Sequence, residues 1–317
     1  MSTRNFDPEL IPYLPLMPTI IDFSTLQSIR RSRSQFSSQQ SLGEKVGNTR
    51  NISIWNKTIP GLDGDPDIAI RIYKPDTTTN KTLPAIYEIH GGGFILGDLN
   101  MQDTWCRHIA VEVGAIVISI DYRLAPEHPF PAAPNDCYAG LCWIFDYADE
   151  LGIDPSRIAI AGQSAGACLA VSTTLRARDM DGPQVCYQLL EIPVFDNRLE
   201  TASMHEYQDT PMWNRPNALW SWKHYLGSNK QGDTSPYAAP ARADDLSHLP
   251  STYISTMEFD PLRDEGIEFA LRLMRAGIAV ELHNYPGTFH GSTMIASANV
   301  SQRNNREVVE SLRNHLR

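Results

Sequence analysis

The sequence predicts an α/β domain, a mostly parallel central sheet flanked by helices, from three observations. Short apolar, partly β-branched runs alternate with longer helix-forming stretches from residue 52 to the end. One such run, Ile158-Ala159-Ile160-Ala161, passes through Gly162-Gln163-Ser164-Ala165-Gly166 directly into a helix-forming stretch. Another, residues 83–89, runs straight into His90-Gly91-Gly92-Gly93-Phe94. A strand that turns sharply into a helix holds one residue in a strained turn. Glycines two before and two after Ser164 leave room for that turn, which lifts the hydroxyl above the sheet edge.

At 317 residues, 42% hydrophobic and 20% charged, the chain suffices for one large α/β domain or one domain with a small accessory part. The formal net charge of −10 argues against a nucleic-acid surface. No apolar run reaches the length of a membrane span, and the polar start lacks the basic and apolar regions of a secretory signal. Cys106, Cys137, Cys142, Cys168 and Cys186 are odd in number and form no CxxC pair. Most sit among apolar neighbours, as buried thiols in a reducing compartment do, and the expected location is cytoplasmic. Cys168, in the helix after the turn, reads as a packed thiol rather than a nucleophile.

Residues 1–50 do not read as core. Residues 10–18 alternate apolar residues with prolines, so they cover a surface without forming a continuous helix. Residues 22–33 have helical spacing, with Phe23, Leu26 and Ile29 on one face, and the Ser/Gln-rich residues 34–50 read as loop or mobile helix. Amphipathic and proline-broken, the whole segment suggests a lid, with a disordered tail as the alternative. Residues 52–59 and 67–74 alternate with period two around turn chemistry at 60–65, an antiparallel entry into the sheet. Residues 83–89 form a central strand. Three glycines after it cost chain entropy unless the backbone must approach something closely. The amides of Gly92 and Gly93 then serve as an oxyanion hole, aimed where negative charge develops. A flexible turn is the alternative for these glycines alone; the Ser164 turn elsewhere in the chain favours the first reading.

A helix at 103–113 and a buried strand at 115–120 precede the proline-punctuated loop 121–133. Its charged residues tie it to the sheet, and His128 reads as structural. A helix covers 133–148, and Asp154-Pro155-Ser156 turns the chain into the serine's strand. Residues 184–192 are another strand. Residues 196–227 then leave the alternation and crowd Met204, Tyr207, Met212, Trp213, Trp220, Trp222 and Tyr225 together, either as packing or as the lining of an acyl pocket. A strand at 251–257, a helix at 264–275, a last strand at 280–285 and a helix at 301–317 complete the chain.

Sheets of this kind carry catalytic groups at the carboxyl ends of strands. Two such ends follow Ser164: one offers Asp260 and the other His290, giving the chain order nucleophile, acid, base. Glu258 and Asp264 are alternative acids, and the strand-end position favours Asp260.

At this point the sequence resembles the hormone-sensitive-lipase family, bacterial type, of α/β-hydrolase carboxylesterases. The matching pieces are His90-Gly91-Gly92-Gly93-Phe94, the stretch from Asp121-Tyr122-Arg123-Leu124-Ala125-Pro126 through Ala133, Gly162-Gln163-Ser164-Ala165-Gly166, Asp260-Pro261-Leu262-Arg263-Asp264-Glu265, and His290-Gly291. The resemblance implies an α/β-hydrolase fold with a small helical cap: residues 1–50 and 196–228 as cap, 51–195 and 229–317 as catalytic core. It implies a triad of Ser164, Asp260 and His290, and an oxyanion hole formed by the amides of Gly92, Gly93 and Ala165. The family's usual acidic residue before the serine and glycine after the second turn glycine are here Gln163 and Ala167, positions that carry no proton chemistry. The expected activity is hydrolysis of short to medium acyl esters of small molecules, with no metal or cofactor; homodimers are usual in the family. Two rivals remain: a small-molecule receptor that has lost the chemistry, against which the retained His290 argues, and an amidase or peptidase-like hydrolase.

Overall fold

The computed structural model describes residues 4–19, 21–43, 51–76, 82–227 and 234–317. The chain enters through a 3₁₀ turn at Ile11–Leu16 and helix α1 (Leu26–Gly43), then strands β1 (Ile52–Ile59), β2 (Ile68–Pro75) and β3 (Leu83–Ile89). Helix α2 (Asp103–Ile109), strand β4 (Ile116–Asp121), helices α3 (Ala132–Asp146) and α4 (Ala148–Leu151) and strand β5 (Ile153–Gln163) follow. Helix α5 (Ala165–Asp179) leads to β6 (Tyr187–Glu191), and helices α6 (Ala202–Glu206) and α7 (Arg215–Leu226) lie in the insertion. Strand β7 (Ser251–Phe259), helix α8 (Arg263–Arg275), strand β8 (Val280–Phe289) and helix α9 (Asn299–His315) close the chain.

The strands form one sheet in the order β1-β2-β4-β3-β5-β6-β7-β8. The first two pairings are antiparallel and the other five parallel. Parallel neighbours need crossover helices, which cover both faces, so the central strands are apolar almost throughout. Alternate side chains divide between two layers. Ile72, Ile89, Ile118 and Ile160 pack with Cys137, Leu141, Leu169 and Leu175 of α3 and α5. Ile86, Val117, Ala159 and Tyr187 pack with Cys106 and Ile109 of α2 and Val308 and Leu312 of α9.

Several expected boundaries move, each for a local reason. Helix α1 begins at Leu26, not 22, because Asp22 Oδ1 accepts from the Ser24 N–H (2.9 Å) and hydroxyl, holding residues 22–24 in a turn. Thr25 Oγ1 then caps the helix by accepting from Ser28 N at 3.1 Å. With no glycine or proline before Gly43, the helix runs through the Ser/Gln stretch that was expected as loop; residues 44–50 lie outside the described residues. The N-terminal segment also contributes to the interior, contrary to expectation: Leu10, Phe23 and Ile29 are buried. The Asp154-Pro155-Ser156 turn survives as a bulge inside β5, which advances from Ile153 to Ile158 while β3 advances from Leu83 to Ala85. Strand β8 continues past Tyr285 to Phe289 through an irregularity at Gly287, whose φ is +72°. Helix α2 ends at Ile109 and widens into a π turn over Ala110–Gly114.

The 121–133 loop is tied down by its charges, but to helix α3 and to the turn between β1 and β2 rather than to the sheet as expected. Arg123 donates through Nε and Nη2 to Asp136 (2.7–3.0 Å) and through Nη2 to Asp65 (2.7 Å), while Asp136 also accepts from the Arg123 N–H at 2.8 Å. Asp136 has no exposed surface and Arg123 keeps some, with Asp65 as a second partner. Asp136→Ala should therefore cost about 2–3 kcal/mol, below the full cost of orphaning a buried ion. Urea melts of the variant and of the parent protein check this.

Candidate active site

Ser164 joins β5 to α5 with φ 56° and ψ −117°, a strained conformation for a residue with a side chain. Its N–H donates to Glu191 O (2.8 Å), and its carbonyl accepts from the amides of Ala167, Val194 and Cys168 (3.1, 3.2 and 3.3 Å). The flanking glycines are steric necessities. A Cβ on Gly162 would lie 2.3 Å from Gly166 O, and one on Gly166 would lie 1.9 Å from Ile89 O.

His290 follows β8. Its Nε2 lies 3.1 Å from Ser164 Oγ and its Nδ1 2.7 Å from Asp260 Oδ2. With Nδ1–H donated to the carboxylate, Nε2 is left to accept from the serine hydroxyl. Asp260 Oδ1 accepts from Leu262 N at 2.9 Å, which fixes the carboxylate. All three side chains are nearly excluded from solvent: Ser164 5%, Asp260 1% and His290 8% exposed. The two alternative acids are engaged elsewhere. Glu258 accepts from Gly287 N (2.6 Å) and holds the turn ahead of His290, and Asp264 accepts from Ser203 N (2.7 Å) at the start of α6.

The glycine loop lies against the serine turn, since a Cβ on Gly91 would sit 2.9 Å from Gln163 O. Gly92 has φ +104° and Gly93 φ +61°; Gly92 O accepts from Ile95 N and Leu96 N. Among the described residues, the amides of Gly92, Gly93 and Ala165 donate to no protein acceptor. His90 anchors this loop. Its ring stacks on Tyr122 at 4.3 Å, its Nδ1–H donates to Gly91 O (2.8 Å), and the Tyr122 hydroxyl donates to His90 O (3.0 Å). Burial pushes the His90 imidazole down to about 4, so it stays neutral and rigid at ordinary pH.

The aromatic crowd in the insertion divides by contact. Tyr225 stacks on Phe94 at 3.9 Å and Trp222 lies 5.5 Å from the same ring, which is packing. Trp213 is different: its ring lies against Gly93 and 5.9 Å from the His290 ring, walling the site. Ser221 Oγ donates to Gly93 O at 2.8 Å. The N-terminal segment holds the insertion in turn, through Met212 N to Pro18 O (2.7 Å), Ile21 N to Asn217 Oδ1 (3.3 Å), and His224 Nε2 to Phe23 O (2.8 Å). His128 is exposed and away from these contacts. Cys168 is fully buried, its thiol donates to Ala238 O, and burial holds its pKa well above the usual range, so it is inert as expected.

Sequence reasoning missed three supporting residues. Ser221 is one, because a serine inside a helix carries no signal of a partner 128 positions away. Glu265, quoted only at the end of a motif, is another: it is buried, and its Oε1 accepts from Phe195 N at 2.6 Å, tying α8 to the segment after β6. The third is His90, quoted only as part of a motif. No helix among the described residues is long and apolar enough to cross a membrane.

Comparison with known proteins identifies the family. Residues 86–294 match the family model described as alpha/beta hydrolase fold. Carboxylesterase NlhH of Mycobacterium tuberculosis is 39% identical over 296 residues, covering 92% of this chain and 90% of that protein. Among solved structures, a bacterial heroin esterase superposes with a TM-score of 0.95 at 48% identity, over 99% of this chain and 98% of that one. A hyperthermophilic esterase from the archaeon Pyrobaculum calidifontis gives 0.87 at 35%, over 98% of both chains. The chain therefore belongs to the alpha/beta hydrolase fold family, within its hormone-sensitive-lipase-like group of serine carboxylic ester hydrolases.

Proposed function

We propose that the protein hydrolyses small-molecule esters with short to medium acyl groups, through an acyl-enzyme on Ser164. The observation that carries this reading is the unbroken line of hydrogen bonds from Ser164 Oγ through His290 to Asp260, beside three amides with no protein acceptor among the described residues. His290 Nε2 takes the hydroxyl proton as Ser164 Oγ attacks the ester carbonyl. Asp260 keeps the imidazole in the right tautomer and stabilises the imidazolium. The amides of Gly92, Gly93 and Ala165 hold the tetrahedral oxyanion, each worth about 2.7–4 kcal/mol of barrier by comparison with other such donors. His290 then gives its proton to the leaving alcohol. Water enters, loses a proton to His290, and attacks the acyl carbon; Ser164 recovers its proton as the acid departs.

Residues 4–43 and 196–227 act as a cap in this reading, supported by the bonds that join them to each other and to the Gly93 loop. Five unpaired cysteines support a reducing compartment, the cytoplasm. The near closure of Ser164 and the Trp213 wall favour short acyl chains. Nitrophenyl acetate and butyrate should be turned over at least about a hundredfold faster than the palmitate, because a long chain must displace packed cap residues. A stoichiometric phosphonate label on Ser164 would accompany that activity. A protein that hydrolyses neither short ester, or that takes no label, is not this enzyme.

A further inference from the structure

Behind the serine turn, on the sheet face covered by α2 and α9, a cavity of about 10 Å³ is lined by Glu88, Gln102, Trp105, Gln163, Leu189 and Glu191, among others. Glu88, Gln163 and Glu191 come from three adjacent strands. Glu191 is directly opposite Gln163, and Glu88 is opposite Ala161, two residues before it. Each is joined closely to the reacting groups. Gln163 precedes Ser164, the main-chain carbonyl of Glu191 accepts the Ser164 N–H, and Glu88 lies two residues before the His90–Gly93 loop.

Both carboxyl groups are buried, with Glu88 3% and Glu191 5% exposed. Glu88 Oε2 accepts from Ser119 Oγ (2.6 Å) and from the more distant Cys106 thiol; Glu191 Oε1 accepts from Asn304 Nδ2 (2.9 Å). Gln163 Oε1 accepts from Gln102 Nε2 at 2.7 Å. Among the described residues, the second oxygen of each carboxyl has no protein donor and the Gln163 amide nitrogen has no protein acceptor. Asn304 Oδ1 is buried without a partner. A polar cavity of this size takes one water with two to four partners.

We propose that water in this cavity joins Gln163 to Glu88 and Glu191, and that the three residues position Ser164, firmly while Glu88 keeps its proton and loosely once Glu88 ionises. The proposal rests on Ser164 being the nucleophile. Glu88 faces Ser119 from β4, Cys106 from α2, Gln163 from β5 and Glu191 from β6. The cations near Cys106, Arg71 and Arg107, are both paired with Asp103, and α9 presents the neutral Asn304. An ionised Glu88 therefore draws the cavity water to itself and away from Gln163 and Glu191.

Burial pushes the Glu88 carboxyl from its ordinary 4.5 up to about 7, against hydrogen bonds from Ser119 and Cys106 that pull it down. Burial raises Glu191 as well. The native state thus binds the Glu88 proton more tightly than the unfolded chain does. Its penalty on stability is absent below about pH 4.5, grows as pH rises towards 7, and is complete above that. The loss of positioning falls in the upper part of the same window.

The test is the pH profile, from 5.5 to 9, of the rate at which a nitrophenyl alkylphosphonate labels Ser164. In the wild type the rate should descend above pH 7, by roughly three- to tenfold, a small misplacement of the attacking atom. Glu88→Gln, neutral and of the same shape, should lack that limb. Superimposable profiles overturn the proposal. A crystal structure at acid pH supplies the second readout and does not depend on the variant folding: water within hydrogen-bond reach of Gln163 Nε2 and a carboxyl oxygen is expected, and a dry cavity overturns the proposal. Equal labelling of both proteins sinks only this inference, whereas no label at any pH sinks the nucleophile reading and this inference with it.

Discussion

Ser164→Ala should lower kcat/KM for nitrophenyl butyrate by about 10⁵-fold while leaving the melting temperature nearly unchanged. The two effects separate because the hydroxyl contributes no bond to the fold. Its contact is with His290, whereas the turn is held by the main-chain bonds from Glu191, Ala167 and Val194. Alanine occupies the same strained φ as serine, so the cost of that conformation is carried equally by both proteins. Hydrolysis by the variant at a wild-type rate would transfer the chemistry to another group. A collapse in melting temperature would mean that the lost activity reports folding rather than catalysis.

Asp260→Asn is the second large effect, about 10⁴-fold in kcat with KM little changed. The amide oxygen can still accept from Leu262 N, so the loop before α8 keeps its shape. What changes is the partner of His290 Nδ1. An amide nitrogen placed there donates, turns the imidazole to the wrong tautomer, and leaves Nε2 protonated where it must take the serine's proton. Steady-state kinetics on one short ester distinguish this outcome from a substrate-binding defect, which would appear in KM. An unaltered kcat would mean that Glu258 or Asp264 serves as the acid, although their bonds to Gly287 and Ser203 hold them to other tasks.

The core was legible in the sequence because its strands are buried on both faces, and such strands appear as apolar runs that end at chemistry. Ser164 and Asp260 each stand just past one of those runs, while His290 follows the mixed edge strand β8, and chain order brought all three forward as candidates. Local contests between hydrogen bonds were harder to read. Asp22 diverts residues 22–24 from a helix whose periodicity already includes them, and Asp154 folds a turn into the edge of a continuing strand. Contacts between distant segments were not legible at all. Nothing in the sequence near Ser221 points to Gly93, and nothing near Glu88 points to Ser119, Gln163 and Glu191, which β4, β5 and β6 bring beside it. The Trp213 assignment falls between these cases: the aromatic crowding was visible, but only the fold separates the ring against His290 from those stacked on Phe94.

The grip of Ser221 on the Gly93 carbonyl links two events usually treated as separate. In the proposed reaction, a displacement of α7 that admitted an ester would also pull, through this bond, on the loop whose amides later receive its charge.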